Sequence, residues 1–199
     1  MRIVLASASP RRLDLLRSLG LDVDVIPSGY DEPPLKGLSP RELATTHAEQ
    51  KCAAVLSQIP PELPLVAADT VVELDGRPFG KPRTLDEARA MLEQLSGRTH
   101  CVHTAFAVAY AGRRTVECET TGVTFFRLAR DEIEAYLSTG EPLDKAGAYG
   151  IQGYGATLVE RIDGDFYTVM GLPVARLVRT LRRLGFHIPP AKLIDTPAI

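Results

Sequence analysis

The amino-acid sequence predicts an α/β fold with one mixed, twisted sheet and flanking helices. Short apolar runs of strand length alternate with segments whose apolar residues recur at helical spacing, which favours parallel strand neighbours. Two later apolar runs flank a glycine, as the strands of a hairpin do, which favours antiparallel neighbours. A mixed sheet accommodates both patterns.

The first two helices have clear start signals. Residues 2–6 form an apolar strand, after which Ser9 as N-cap and Pro10 at the first helical position open a helix that ends near Gly20. A capping box at residues 39–42 starts the second helix. The apolar face predicted for this second helix consists of Ala44, Ala48, Cys52, Val55 and Ile59.

The remaining elements follow in alternation. Residues 65–74 predict a long strand that turns at Asp75 and Gly76, and a second capping box at residues 84–87 starts a helix that Gly97 ends. The later predicted elements are a hairpin of residues 100–110 and 115–126, a helix at 131–138, a strand at 156–162 and a helix at 172–184.

Length and composition are those of one globular domain. The 199 residues can bury a core but are too few for separate catalytic and regulatory modules, and no apolar run approaches the roughly 20 residues of a membrane helix. We expect residues 1–188 to form the domain and residues 189–199, which contain three prolines, to form a loosely ordered tail.

Charge and cysteine content argue against several classes of function. The formal net charge is −2, so no general positive field attracts nucleic acid, and we expect the arginines of the last helix to form a solvated face. Three cysteines without a CxxC spacing support neither a disulfide framework nor a structural zinc site.

The chain opens without a secretory signal pattern, so we expect a cytoplasmic protein with no membrane partner.

Residues 7–12 have the outline of an anion site. A strand ends, a small-residue loop containing Ser7 follows, and a helix begins with Arg11 and Arg12 in its first turn. Arginines there oppose the helix dipole unless an anion such as phosphate binds to the helix N-terminus. The alternative is two surface arginines, tolerated at a cost of about 0.5 kcal/mol each.

Asp69 stands within an otherwise apolar strand. Removing an ionised carboxylate from water costs several kcal/mol unless a metal, a cation or hydrogen bonds compensate it. Asp69 is therefore a candidate general base or metal ligand. The alternative is a strand end or a bulge that faces solvent.

Two lysines and one glutamine are weaker candidates. Lys51 lies on the apolar face of the second helix and Lys81 lies between a glycine and a proline, so both ammonium groups can point into one cleft, although each alone is more typical of a surface lysine. Gln152 lies among closely spaced glycines, where its amide can recognise a base edge or simply occupy a turn. The histidines show no metal-binding spacing.

The order and spacing of these segments, with a few others, form a recognisable set. Its members are Ser7-x-Ser9-Pro10-Arg11-Arg12, Asp31-Glu32, Lys51, Ala68-Asp69-Thr70-Val71-Val72, Lys81-Pro82, Leu95-Ser96-Gly97, residues 141–153 and Gly171-Leu172-Pro173. On these segments, nearly end to end, the chain resembles the Maf family of nucleotide pyrophosphatases. The resemblance implies a fold with two lobes around a cleft, similar to that of inosine triphosphate pyrophosphatases.

The resemblance also implies the roles of individual residues. Asp69 matches the proton acceptor, and a divalent cation, Mg²⁺ or Mn²⁺, is expected on Glu32 and Asp69. Arg11, Thr70 and Gln152 match the specificity positions. The expected substrate-binding set is Ser7, Arg11, Arg12, Lys51, Thr70, Lys81 and Gln152.

The implied reaction is hydrolysis of a nucleoside triphosphate to the monophosphate and pyrophosphate. The paired arginines and residues 148–153 resemble the branch of the family that prefers dTTP and UTP. The alternatives are the branch that prefers 7-methyl-GTP and a nucleotide-binding regulator of septum formation without turnover. A homodimer is expected from the resemblance.

Overall fold

The fold is built on one seven-stranded mixed sheet, seen in a computed structural model that describes residues 1–33 and 35–188. Its strands are β1 (Arg2–Leu5), β2 (Asp22–Val25), β3 (Leu65–Leu74), β4 (Arg77–Phe79), β5 (Thr99–Tyr110), β6 (Arg113–Phe125) and β7 (Val159–Asp163). The helices are α1 (Pro10–Ser18), α2 (Pro40–Leu56), α3 (Leu85–Leu95), α4 (Arg130–Ser138), α5 (Phe166–Met170) and α6 (Val174–Arg183). The tail expected at residues 189–199 lies outside the described residues.

The sheet has the spatial order β2-β1-β3-β5-β6-β7, with β4 paired to β3. The pairs of β1 with β2 and with β3 are parallel, and the other pairs are antiparallel. The mixed α/β sheet that the sequence predicts is therefore confirmed.

One edge of β3 is interrupted. On one side β5 pairs with β3 from Leu65 to Glu73. On the other side β1 pairs only with Leu65 and Val66, and β4 pairs only from Val72 onward. Within the described ranges, residues 67–71 thus lack a strand neighbour on that side. Asp69, Thr70 and Val71 of this segment line a cavity.

Alternation along β3 sends neighbouring side chains to opposite faces of the sheet. Ala67 and Val71 pack beneath α2, and Asp69, which lies between them in sequence, points to the same face. Ala68 packs in the core on the opposite face, with members of β1, α1 and α6, and Thr70 follows it to that face. Residues 69 and 70 therefore meet different helices.

The two largest apolar clusters of the described residues pack against different helices. The first is formed mainly by α3, α4 and the ends of β3 and β5, and the second by β1, α1 and α6 with the middle of the sheet. They correspond to the two lobes that the resemblance implies. No helix in residues 1–33 and 35–188 is long and apolar enough to cross a membrane.

The start signals of the helices are confirmed for α2 and only partly for two others. Ser39 and Glu42 form the full capping box of α2. Before α3, Thr84 Oγ1 accepts from Glu87 N–H, but the Glu87 carboxylate accepts from the N–H of Arg83 and not from that of Thr84. The capping box predicted at residues 84–87 is therefore only half formed, because the hydrogen bond from Thr84 N–H to the Glu87 carboxylate is missing.

Three local predictions also need correction. The predicted N-cap Ser9 makes no side-chain capping bond at α1, and its N–H donates to Ser7 Oγ at 3.2 Å. The strand predicted at residues 156–162 begins only at Val159, because residues Gly153–Leu158 form tight 3₁₀ turns. Ile59 lies beyond the end of α2. The short elements β2 and α5 were not predicted.

Candidate active site

A cavity of about 670 Å³ opens at the interrupted edge of β3, within the size range of small-molecule sites. Residues of both lobes line it. Every site residue proposed from the sequence is among the lining residues: Ser7, Arg11, Arg12, Glu32, Lys51, Asp69, Thr70, Lys81 and Gln152. The structure thus brings the whole predicted set together, while the role of each member stays a prediction.

A buried ion triad lies at the centre of the cavity. Lys51 Nζ is 2.6 Å from Asp69 Oδ1 and 2.5 Å from Glu32 Oε1. The Lys51 and Asp69 side chains are 9% and 6% exposed, whereas that of Glu32 is 45% exposed. Asp69 therefore does not face solvent at a strand end, and its charge is compensated within the protein.

Burial and nearby charges shift the pKa of two groups at the cavity, Glu32 and Tyr30. Burial opposes the ionisation of Glu32, but the hydrogen bond and charge of Lys51, with the charge of Lys81, lower the pKa of Glu32 below its ordinary value. Burial and the charges of Glu32 and Asp69 raise the pKa of the Tyr30 phenol. Glu32 is thus ionised and Tyr30 is neutral near pH 7.

Arg12 is partly buried and makes three hydrogen bonds. Its Nε donates to Gly171 O at 2.8 Å, and its terminal nitrogens donate to Ser7 Oγ and Thr70 Oγ1, each at 3.1 Å. Burial lowers the pKa of Arg12, although the charges of Asp69 and Glu32 oppose this effect. Arg12 therefore joins the loop after β1, the middle of β3 and the loop after α5.

Thr70 continues this network into the sheet. Thr104 Oγ1 donates to Thr168 O at 2.7 Å, so its only proton is used there. Thr70 is therefore the donor in the 3.0 Å hydrogen bond between the two threonine hydroxyls. Thr70 accepts from Arg12 and donates to Thr104, which leaves it able to accept a hydrogen bond from a ligand but not to donate one.

Arg11 and Lys81 are much less constrained than Arg12. One terminal nitrogen of Arg11 lies 3.3 Å from Asp144 Oδ2, and the Arg11 side chain is 33% exposed. Lys81 is exposed, lines the cavity and has no salt bridge within residues 1–33 and 35–188. These two cations are available to phosphate groups.

The loop that carries Gln152 is fixed on both sides of it. Gly150 N–H donates to the hydroxyl of the buried Tyr136 at 3.2 Å. The Glu141 carboxylate accepts from the N–H groups of Tyr154 and Gly155 at 3.0 and 3.3 Å. The Gln152 side chain is exposed at the cavity.

Three positions of this loop leave no room for a larger residue, and at Gly155 a Cβ would lie only 2.2 Å from the carbonyl oxygen of Gly150. Gly147 has φ 69°, and a Cβ there would lie 3.0 Å from Val72 Cγ1. Gly153 has φ 64°, and a Cβ there would lie 2.7 Å from Glu141 Oε1. Ala148 also adopts a left-handed conformation, with φ 61°. The tight approach and these backbone angles explain the glycine-rich sequence.

A buried histidine anchors the next residue of the loop. His100 Nε2 lies 2.7 Å from the hydroxyl of Tyr149, and the two rings stack edge to face with Phe125. Burial lowers the pKa of His100 to about 4, so the imidazole is neutral near pH 7. His100 and His103 are both buried.

Sequence reasoning missed several lining residues. His47 is 4% exposed and lies one helical turn before Lys51, and its Nδ1 is 3.2 Å from the Tyr30 hydroxyl. The spacing of four residues to Lys51 was the available signal for His47. Asp144 lies within the segment 141–153 of the resemblance, but nothing in its local sequence indicates that it pairs with Arg11, which is distant along the chain.

The donor set fits a magnesium-like cation that is shared with a ligand. No group of three or more His, Cys, Asp or Glu side chains suited to a metal occurs within residues 1–33 and 35–188. Two carboxylates, Glu32 and Asp69, are both within 2.6 Å of one ammonium group and so lie close together. Mg²⁺ is commonly held by one or two carboxylates, with phosphate oxygens and water completing its shell.

Known proteins match the chain along nearly its whole length. A dTTP/UTP pyrophosphatase of Bacillus velezensis is 49% identical over 92% of this chain and 97% of that protein, and one of Pyrococcus abyssi is 47% identical over 96% and 100%. The structure of the Staphylococcus aureus Ham1 protein is similar in fold, with a TM-score of 0.52 at 15% identity, over 94% of this chain and 100% of that chain. The family model described as Maf-like protein matches residues 2–184, so the chain belongs to the Maf family.

Proposed function

We propose that the chain hydrolyses dTTP and UTP to the nucleoside monophosphate and pyrophosphate. The observation that carries this proposal is the buried carboxylate of Asp69 in a cavity that also presents the cations Arg11, Lys51 and Lys81. The relatives named as dTTP/UTP pyrophosphatases support the choice of substrate.

The cations of the cavity bind the triphosphate. A nucleoside triphosphate brings about four negative charges at neutral pH, and preorganised cations in a partly closed site stabilise the charge that develops on the leaving pyrophosphate. Arg11 and Lys81 are available for this task in the free protein. Arg12 acts mainly by holding Ser7, whose hydroxyl can donate to the same anion, and Thr70, which can only accept a hydrogen bond from the nucleotide.

Asp69 takes the proton of the attacking water. Asp69 Oδ1 accepts from Lys51, and no side chain in the described part of the chain donates to Oδ2, which leaves one carboxylate oxygen for water. Attack at the α phosphorus breaks its bond to the bridging oxygen, and the bond electrons leave with pyrophosphate. Glu32 and Asp69 would hold the divalent cation, which supplies neutralisation of phosphate charge when bound.

The glycine-rich loop explains the preference for a pyrimidine with a keto group at position 4. The Gln152 amide offers one donor and one acceptor, which match O4 and the N3–H of thymine or uracil. The loop is anchored by Tyr136 and Glu141, so the amide is presented from a fixed backbone.

A nucleotide panel with pyrophosphate detection tests the proposal. We expect kcat/KM for dTTP and for UTP to exceed that for 7-methyl-GTP, in line with the named relatives, and to exceed that for dCTP by about a hundredfold, because cytosine presents a mismatched edge to the Gln152 amide. Reactions with excess chelator are the control. A panel led by 7-methyl-GTP would assign the chain to the other branch, and tight binding without pyrophosphate release would favour the regulator without turnover.

We also propose a cytoplasmic homodimer that uses Mg²⁺ or Mn²⁺. The three cysteines are free thiols, as in a reducing compartment. The outer edge of β6 before Gly122 has no strand partner in residues 1–33 and 35–188, and a second copy can cover such an edge. Sedimentation of the full chain measures the oligomeric state.

A further inference from the structure

The ammonium group of Lys51 occupies the place between the two carboxylates proposed to hold the divalent cation. It lies 2.5 Å from Glu32 Oε1 and 2.6 Å from Asp69 Oδ1. Its side chain is 9% exposed, so this is not a surface lysine that swings freely into water. In the free protein the carboxylate pair therefore already has a cation.

The position of Lys51 is set by its helix. Lys51 lies on the buried face of α2, between Ala48 and Cys52, which are both at most 2% exposed. Its aliphatic stem has little room to move away, because the helix packs against β3 and β5 along this face. The ammonium group can change partners only by a short rotation at its end.

The charge balance of the pair follows from this placement. Glu32 and Asp69 alone carry two negative charges, and Lys51 reduces their sum to one. A divalent cation that enters the free site must approach the ammonium group and displace it, with only two protein carboxylates as ligands. A bound nucleotide removes both obstacles. Its phosphate oxygens give the cation additional ligands, and they give the ammonium group of Lys51 new partners.

We propose that Lys51 keeps the divalent cation out of the free protein, so that the cation arrives as its complex with the nucleotide. The inference rests on the proposed function, since it takes a nucleoside triphosphate as the ligand. It assigns Lys51 a second task besides contact with phosphate. Lys51 then determines that the divalent cation binds together with the nucleotide and not before it.

Titration of the full chain with Mn²⁺ alone, without nucleotide, tests the inference. Calorimetry and the electron paramagnetic resonance signal of free Mn²⁺ both report binding without turnover. We expect Lys51→Met, which keeps the stem and removes the charge, to bind Mn²⁺ at least tenfold more tightly than the parent. Lys51→Arg is the matched control and is expected to bind as weakly as the parent. Adding Glu32→Gln to Lys51→Met is expected to remove the gain.

Equal or weaker Mn²⁺ binding by a folded Lys51→Met protein would overturn the inference. If that variant does not fold, the parent is titrated with and without a non-hydrolysable α,β-methylene analogue of dTTP. Mn²⁺ binding at least tenfold tighter to the complex of protein and analogue than to the protein alone or the analogue alone supports the inference, and Mn²⁺ binding to the protein alone as tight as to the complex overturns it. Pyrophosphate release is measured separately, so a failure of the proposed function is distinguishable from a failure of this inference.

Discussion

Asp69→Asn is expected to lower the turnover of dTTP by about a thousandfold, within the range that one positioned general base contributes. The substitution keeps the shape of the side chain and removes the basic oxygen. Lys51 loses one of its two carboxylate partners but keeps Glu32. We therefore expect a loss of about 1–2 kcal/mol in the free energy of unfolding. Steady-state turnover and a thermal melt measure both effects.

Asp14→Asn is the matched control for this substitution. Asp14 is an exposed residue of α1 that does not line the cavity, so the same chemical change there is expected to leave turnover and melting unaltered. A folded Asp69→Asn protein that released pyrophosphate at nearly the parent rate would remove Asp69 from the mechanism. Glu32 would then be the next candidate for the proton acceptor.

Arg12→Ala is expected to reduce both activity and stability strongly. The guanidinium group makes three hydrogen bonds, and its loss leaves the carbonyl of Gly171 without its donor. We expect a loss of about 3 kcal/mol in the free energy of unfolding and a melting temperature lower by roughly 10 °C. We also expect turnover of the folded fraction to fall by about a hundredfold, because Ser7 and Thr70 lose their common partner.

Arg11→Ala separates binding from structure. Arg11 makes one 3.3 Å contact with Asp144, whose side chain is 64% exposed, and such surface pairs contribute about 0.5 kcal/mol or less. We expect weaker turnover of dTTP with a melting temperature close to that of the parent. Equal thermal destabilisation by Arg11→Ala and Arg12→Ala would contradict the separate tasks given to the two arginines.

Local signals predicted most of the elements of the fold. The capping box at Ser39 and Glu42 and the apolar run of β3 need only neighbouring residues to be recognised, and both are found as predicted. The elements β2 and α5 are four and five residues long. Segments this short are stabilised by pairing or packing with distant parts of the chain, so their own sequence carries little signal.

The candidate site was predictable as a set of residue types but not as an arrangement. Asp69 was conspicuous because a carboxylate in an apolar strand requires compensation. Its partner Lys51 comes from α2, and no sequence spacing relates the two. Arg11 and Arg12 are neighbours in sequence, yet the turn of α1 directs one toward Asp144 and the other toward Thr70. The interruption of β3, which makes the cavity, depends on where β1 and β4 end in space.

Phosphorus nuclear magnetic resonance of the products formed from dTTP and Mg²⁺ tests the central claim most directly. If water attacks the α phosphorus in the cavity around Asp69, the parent protein releases thymidine monophosphate and pyrophosphate in equal amounts, and no diphosphate accumulates. Thymidine diphosphate and orthophosphate as the first products would contradict the account, because they require cleavage of the bond between the β and γ phosphates.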